Sequence, residues 1–384
     1  MITSSVYWLI VLIGVPVHWL LPARTRPAFT ALLSIGFLLS IDAPGCAAFL
    51  AWSLLFYFAA PLTRSDERRW LLPVLIVALL GYLAFYKYAP PLVAGVFGES
   101  RWSGVAIPLG LSYFTFKLIH YVVEFSRRKI RDRSLWRFLS FVFLFPIFTA
   151  GPIERFDHFL EQAEDHPTRE AMVEGLMRIV VGLVKKLVIV ELVLDLALVK
   201  LDHSSALDSG TLVAWKICIT SFLTTYLDFS AYSDIAIGTS RLFGLRILEN
   251  FNWPILAPNI GEFWNRWHMT LVGWCRSYVY LPTIGLTRNP YVAVYALCLA
   301  VGIWHAGSWS YVIWGLYHAT GVVLFQTWKR FKSRRKLKLP TSGPWSLVGI
   351  VGTVLFVSSS FAFTGREPVE GLRMFARLVF IDVG

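Results

Sequence analysis

Charge is what this chain has least of. Only 16% of its 384 residues are Asp, Glu, Lys or Arg, against roughly a quarter in soluble domains, so the sequence cannot clothe a water-facing surface. With 56% hydrophobic residues and a mean hydropathy of +0.59, lipid is the solvent it fits. Cysteine is equally sparse. Cys46, Cys218, Cys275 and Cys298 stand singly in apolar or aromatic stretches with no C-x-x-C pair, which excludes a disulfide framework and leaves them as packing residues. The first 23 residues contain no Lys or Arg, so residues 6–21 lack the basic flank of a cleavable signal peptide and read as a retained span. Also missing are a G-x-S-x-G elbow, an H-E-x-x-H zinc helix and a G-x-x-x-x-G-K-[ST] phosphate loop, and with them the hydrolase, metalloprotease and nucleotide-binding classes they serve. No internal repeat and no linker divides the chain, so one integral membrane domain over residues 1–384 is expected.

What is present is a series of apolar runs separated by basic strips. A spanning helix needs about 20 apolar residues, and by that ruler roughly ten or eleven candidates occur. The early ones cover residues 6–21, 28–41, 45–61, 70–89 and 106–125; later ones cover 212–227, 230–245, 290–303, 309–328 and 345–363. The chain is read as all-α and multi-pass. Its 36 basic residues exceed its 24 acidic ones by 12, a balance that in a soluble protein would raise nucleic acid as a partner. Here the basic residues gather at Arg24 and Arg26, at 64–69, at 127–137 and at 329–338, between apolar runs, where they mark cytoplasmic loops. Nucleic acid is therefore not an expected partner. The strips alternate with loops nearly free of Lys and Arg, at 42–44 and 90–104, which puts the N-terminus outside an inner (plasma) membrane. The strongest strip, KRFKSRRKLK at 329–338, has seven basic residues in ten.

Three segments are irregular. Residues 138–150 are short for a span and end in Gly151–Pro152, which predicts a re-entrant or tilted element buried against protein, because lipid cannot satisfy a broken backbone. Residues 176–199 carry Lys185 and Lys186 at their centre and read as a long helix with snorkelling lysines or an interfacial one. In 261–282, Trp264, Trp267 and Trp274 recur near helical spacing with Arg266, His268 and Arg276 among them, which predicts an amphipathic helix near an interface.

Ionisable residues inside apolar runs are costly and so are candidates for function. Lys117, His120 and Glu124 share one face of a helix and read first as a polar packing stripe; Asp228 and Asp234 lie around the spans at 212–227 and 230–245. His318 stands ten residues before Trp328, about 15 Å from the cytoplasmic face at 1.5 Å per residue, hence near mid-membrane. No carboxylate lies within a helical turn of it, and Trp314 and Tyr317 flank it. It is either a reactive imidazole in an aromatic pocket or a core histidine bonded to a neighbouring helix. His268 is either a site residue or part of an aromatic belt with snorkelling arginines. The spacing of His203 and Asp208 matches an H-x4-D pattern but occupies a small polar loop and is read as chance. A zinc site from His268, His305 and His318 lacks a carboxylate or thiolate to complete it, and no metal is expected.

Five segments, IPLGLSYFTFKLIHYVVE (107–124), FPIFTAGPIERFDHF (145–159), YLDFSAYSDIAIGTSRLFG (226–244), NFNWPILAPNIGEFWNRWHMTLVGWCRSYVYLP (250–282) and GIWHAGSWSYVIWGLYHATG (302–321), together resemble the membrane-bound O-acyltransferases, in their order. The likeness is to the bacterial branch that includes the alginate O-acetylase and teichoic acid D-alanyl transfer proteins. It implies a helical scaffold around a funnel or tunnel. It also implies a catalytic histidine in W-G-L-x-H, here His318, and a second functional histidine in R-W-H, here His268, with His305 of G-I-W-H in the tunnel wall. Trp264, Arg266, Trp314 and Asp234 are the expected substrate contacts. In this reading His318 is the base, and His268 with Arg266 orients the acyl carbonyl or donates to its oxyanion.

The donor would be a cytoplasmic thioester, acyl-CoA or an acyl carrier protein, with no bound cofactor. The acceptor would be a hydroxyl of an envelope polysaccharide, reached through a separate extracytoplasmic protein. TIGLTRN (283–289) departs from the Leu-Gly-Gly element of the alginate type, whereas EFWNRWHMTL (262–271) resembles the D-alanyl type, so the acyl group stays open between acetyl and aminoacyl. A transporter or scaffold without its own chemistry, and a long-chain lipid acyltransferase, remain as alternatives.

Overall fold

The computed structural model describes residues 4–90, 106–161, 163, 166–194, 210–337 and 343–379. Among these, pairing of extended backbone is limited to an isolated bridge between Ala163 and Leu245; the architecture is all-helical, the arrangement that satisfies backbone groups in lipid. Four helices among the described residues are long and apolar enough to cross a bilayer alone: Ala43–Arg64, Asp66–Lys87, Thr211–Leu242 and Pro344–Ala362. Ser5–Leu20, Leu135–Ile147 and Pro290–His305 are apolar but shorter. Their outward faces carry side chains such as Leu12, Leu20 and Val77, 73%, 84% and 67% exposed. Apolar surface repeated on this scale is the mark of a lipid-facing protein. The His203 and Asp208 pair lies outside the described residues.

Two expected spans prove to be one. Residues 212–227 and 230–245 form a single helix, Thr211–Leu242, of 32 residues, roughly 48 Å long at 1.5 Å per residue. The junction, Asp228-Phe229-Ser230, holds neither Gly nor Pro, so nothing in its local chemistry ends the helix. The chain clusters into two compact units, one of residues up to Leu183 with Ala231–Glu249, the other of Val184–Ser230 with Asn250 onward. The long helix contributes to both.

The first unit is built on aromatic contacts. Tyr7, Phe37 and Phe145 meet edge-on, and Phe49 stacks on Phe114 at 4.3 Å between ring centres. The short element expected near 138–150 is a helix, Leu135–Phe143, followed by a 3-10 turn, Phe145–Ile147, and it is buried throughout from Phe138. Its broken backbone is satisfied by protein. Lys117 donates its ammonium to the carbonyls of Phe141 and Val142 at 3.0 and 3.1 Å, and the Phe145 N–H donates to Ser34 Oγ at 3.2 Å. The polar stripe on Leu111–Ser126 therefore stitches this unit together. Its Lys117 serves a helix end, His120 Nε2 accepts the Phe156 N–H at 2.9 Å, and Glu124 binds Arg127 and Lys129 at 2.8 Å each.

In the second unit, Pro290–His305 packs against Trp309–Arg334. The backbones approach so closely that a Cβ on Gly302 would lie 2.3 Å from the Tyr311 carbonyl oxygen, and one on Gly315 2.8 Å from that of Cys298. Small residues at a helix crossing are what permit this in lipid. Lys185 and Lys186 do not snorkel. They sit on a π-helical stretch, Val184–Leu194, and bond Ser230 Oγ at 2.7 Å and the Asp228 carboxylate at 2.6 Å.

Candidate active site

The amphipathic helix expected over 261–282 is broken, and the break makes the site. A short helix, Ile260–Trp264, is started by Asn259, whose side chain accepts the Glu262 N–H. The chain then turns at His268, which adopts left-handed backbone angles, φ 42° and ψ 50°, before the helix Met269–Cys275 begins. A non-glycine residue in that region costs about 1–2 kcal/mol and persists only where its surroundings over-determine it. They do so here. The Met269 N–H donates to the Asn250 carbonyl and the Asn252 N–H to the Arg266 carbonyl, both at 2.9 Å, so residues 250–252 clamp the turn on either side of His268.

The imidazole of His268 is 2% exposed. Its Nδ1 lies 2.9 Å from Asn250 Oδ1, which also accepts the Thr270 hydroxyl at 2.8 Å. An amide oxygen only accepts, so Nδ1 carries the proton and the neutral ring has its lone pair on Nε2. That nitrogen is shielded from solvent and has no hydrogen-bond partner among the described residues. The expectation that a neutral His268 donates to an oxyanion is therefore revised, since its proton is already committed to Asn250.

His318 is anchored by its other nitrogen. It lies on Trp309–Arg334, 1% exposed, with Nε2 3.0 Å from Ser360 Oγ. The Ser360 hydroxyl gives its one proton to the Val357 carbonyl at 2.7 Å, so it accepts from His318 Nε2–H. Nδ1 is left with the lone pair and without a partner among the described residues. Trp314 and Trp264 pack on the ring at 4.4 and 5.2 Å between centres, with Phe356 edge-on at 5.8 Å.

Both imidazoles line one cavity of about 250 Å³, together with Trp264, His305, Trp314 and Tyr311. His305 is exposed and stacks on Tyr311 at 5.7 Å. A second cavity, of about 430 Å³, is bounded by Glu262, Arg276, Gln326 and Lys329, and Trp264 lines it too. Of the sequence-derived site residues, His268, His318, Trp264, His305 and Trp314 thus converge. Two do not. Arg266 lines neither cavity and faces Glu262 at 3.7 Å. Asp234 belongs to the first unit, ion-paired with Arg178. No group of three or more His, Cys, Asp or Glu side chains poised to hold a metal occurs among the described residues. Sequence reasoning missed Asn250 and Ser360, the two residues that set the tautomers. Neither is ionisable, and their only signal was that a buried imidazole must find a partner somewhere.

Fold and site define a class: a membrane-embedded helical protein with two buried imidazoles, each held by one nitrogen, in an aromatic cavity. The chain belongs to the membrane-bound O-acyltransferase family, whose profile matches residues 49–365. It is similar to a probable alginate O-acetylase of Azotobacter vinelandii, 32% identical, over 80% of this chain and 64% of that protein. It is also similar to a teichoic acid D-alanyltransferase of Streptococcus thermophilus, 30% identical over 58% of each chain. A peptidoglycan O-acetyltransferase of Helicobacter pylori is 28% identical over 80% of this chain and 64% of its own. The chain spans 58–64% of the length of these relatives.

Proposed function

We propose that the protein is an O-acyltransferase that moves a small acyl group, acetyl or aminoacyl, from a cytoplasmic thioester to a hydroxyl of an envelope polysaccharide or of an intermediary protein. The observation that carries this reading is the pair of buried imidazoles on one cavity, each with a lone pair left unpartnered. His318 Nδ1 takes the proton of the attacking hydroxyl as its oxygen bonds to the thioester carbonyl carbon. The tetrahedral oxyanion collapses, the C–S bond breaks, and the proton held on Nδ1 passes to the departing sulfur, which leaves as the thiol. The ring is thereby restored to the tautomer that Ser360 holds.

The second cavity supports the direction of donor entry. Lys329, in its wall, opens the basic strip that positive-inside asymmetry assigns to the cytoplasm. A thioester arm entering there meets Trp264, which lines the histidine cavity as well. The donor is acyl-CoA or an acyl carrier protein, and the acceptor, with any extracytoplasmic partner that relays the group, comes from the opposite face. The test is reconstitution of the purified protein in liposomes with an acyl thioester inside and candidate envelope polymers outside, read by mass spectrometry of the polymer. Thioester-dependent acylation of a polymer hydroxyl is expected; release of free thiol with no acylated hydroxyl would refute the transfer.

The orientation is tested separately. Single cysteines replacing the exposed Arg131 and Ser333 are expected to react with a membrane-impermeant maleimide only in inside-out vesicles, and one replacing the exposed Ala43 only in intact cells. The four native cysteines are all buried, which keeps the background low. Labelling of positions 43 and 131 from the same side removes the assigned topology.

A further inference from the structure

The two buried imidazoles present lone pairs to the cavity, and the chemistry also needs a hydrogen-bond donor. An attacked thioester develops negative charge on its carbonyl oxygen, and a preorganised donor in a dry site is the group that stabilises it. His268 cannot serve while neutral, because Nδ1–H is held by Asn250. His318 cannot, because its N–H is held by Ser360. Arg266 lies outside both linings.

We propose that the indole N–H of Trp264 is the donor to the oxyanion. This rests on the acyl-transfer reading above. Four observations place it there. The indole nitrogen is shielded from solvent and bonds to nothing among the described residues, and an indole N–H only donates, so it lacks an acceptor of the kind a substrate carbonyl supplies. The ring packs edge-on to that of His318, 5.2 Å between centres at 80°, which sets donor and base on neighbouring sides of one small space. Trp264 lines both cavities, so it stands where a thioester arriving through one would meet a hydroxyl held in the other. Its position is fixed by the helix Ile260–Trp264, capped by Asn259, and by the Phe263 ring beside it at 5.6 Å. The donor is thus preorganised, and no side chain has to give up a bond when the charge appears.

The experiment compares three enzymes in the liposome assay: wild type, Trp264→Phe, and a protein carrying 3-benzothienylalanine at 264. The last keeps the bicyclic volume and replaces N–H with sulfur, so it remains informative if the smaller ring disturbs folding. The expected result is a fall in kcat of about 10²–10³-fold in the benzothienyl enzyme, with KM for the thioester within about twofold of wild type. An unchanged kcat overturns the assignment. A raised KM with unchanged kcat also overturns it, because the ring then binds ground and transition states alike. A wild-type enzyme that acylates no hydroxyl from any thioester sinks the transfer reading itself, an outcome distinct from either.

Discussion

Replacing His318 by alanine is expected to lower kcat for acyl transfer by about 10²–10⁴-fold, the range a positioned general base contributes. The variant is also expected to be less stable. The ring is 1% exposed and packed by Trp264, Trp314 and Phe356, and truncation leaves a hole and strands Ser360. His318→Gln separates the two effects. A glutamine amide fills much of the volume and can still donate to Ser360 Oγ, but it cannot take up a proton. Its melting temperature in detergent should therefore stay closer to wild type than that of the alanine variant, while its kcat falls as far. Ser360→Ala provides the complementary measurement. It leaves the imidazole intact but removes the acceptor that keeps the proton on Nε2, so the lone pair is shared between the two nitrogens and kcat falls by a smaller factor. A glutamine enzyme turning over at the wild-type rate would end the assignment of His318 as base.

How far the sequence reaches depends on whether a feature is local. The apolar runs at 45–61, 70–89 and 345–363 are local, and each is a long helix in the structure. Lipid also made the broken element near 138–150 legible, because any break there must be answered by protein; that Lys117 and Ser34 would answer it was not written in either residue. The ruler of one span per 20 residues cut Thr211–Leu242 in two at 228–229, where the helix carries Asp228 bound to Lys186.

The same limit applies at the site. Histidines in apolar surroundings are conspicuous, so His268 and His318 could be singled out, but the tautomers depend on Asn250, 18 residues before His268, and Ser360, 42 after His318. The tryptophan spacing around 264–274 reads as a continuous helix because periodicity cannot register the two backbone clamps that hold His268 left-handed. Charged residues misled for a related reason. Asp234 and Arg266 stand out in the sequence, yet an ion pair with Arg178 and a contact with Glu262 account for them, and neither is among the residues that line the cavity.

His268 is expected to assist transfer as a hydrogen-bond acceptor, and its variants should rank accordingly. Its Nδ1–H is bound to Asn250, and Nε2 holds the lone pair on a ring that lines the cavity. The simplest use of that lone pair is to accept from a neighbouring, non-reacting hydroxyl of the acceptor, which holds the attacking hydroxyl against His318 Nδ1, where its own proton is removed. Glutamine can place an amide oxygen where Nε2 lies; asparagine can place its amide N–H near Nδ1, keeping the bond to Asn250, but offers nothing at Nε2. His268→Gln should therefore retain on the order of a tenth to a hundredth of wild-type kcat/KM, since one neutral hydrogen bond contributes about 0.5–1.5 kcal/mol and misalignment adds to its loss. His268→Asn and His268→Ala should lie together, well below it. All three are measured with one purified thioester and one acceptor, alongside His318→Gln. A His268→Gln enzyme as inactive as His318→Gln would mean that Nε2 takes up a proton during turnover, and the base would then have to be assigned to the pair of imidazoles. If His268→Asn instead matched His268→Gln, the bond to Asn250 would be the feature that counts, and His268 would act by holding the turn at 266–269 in place.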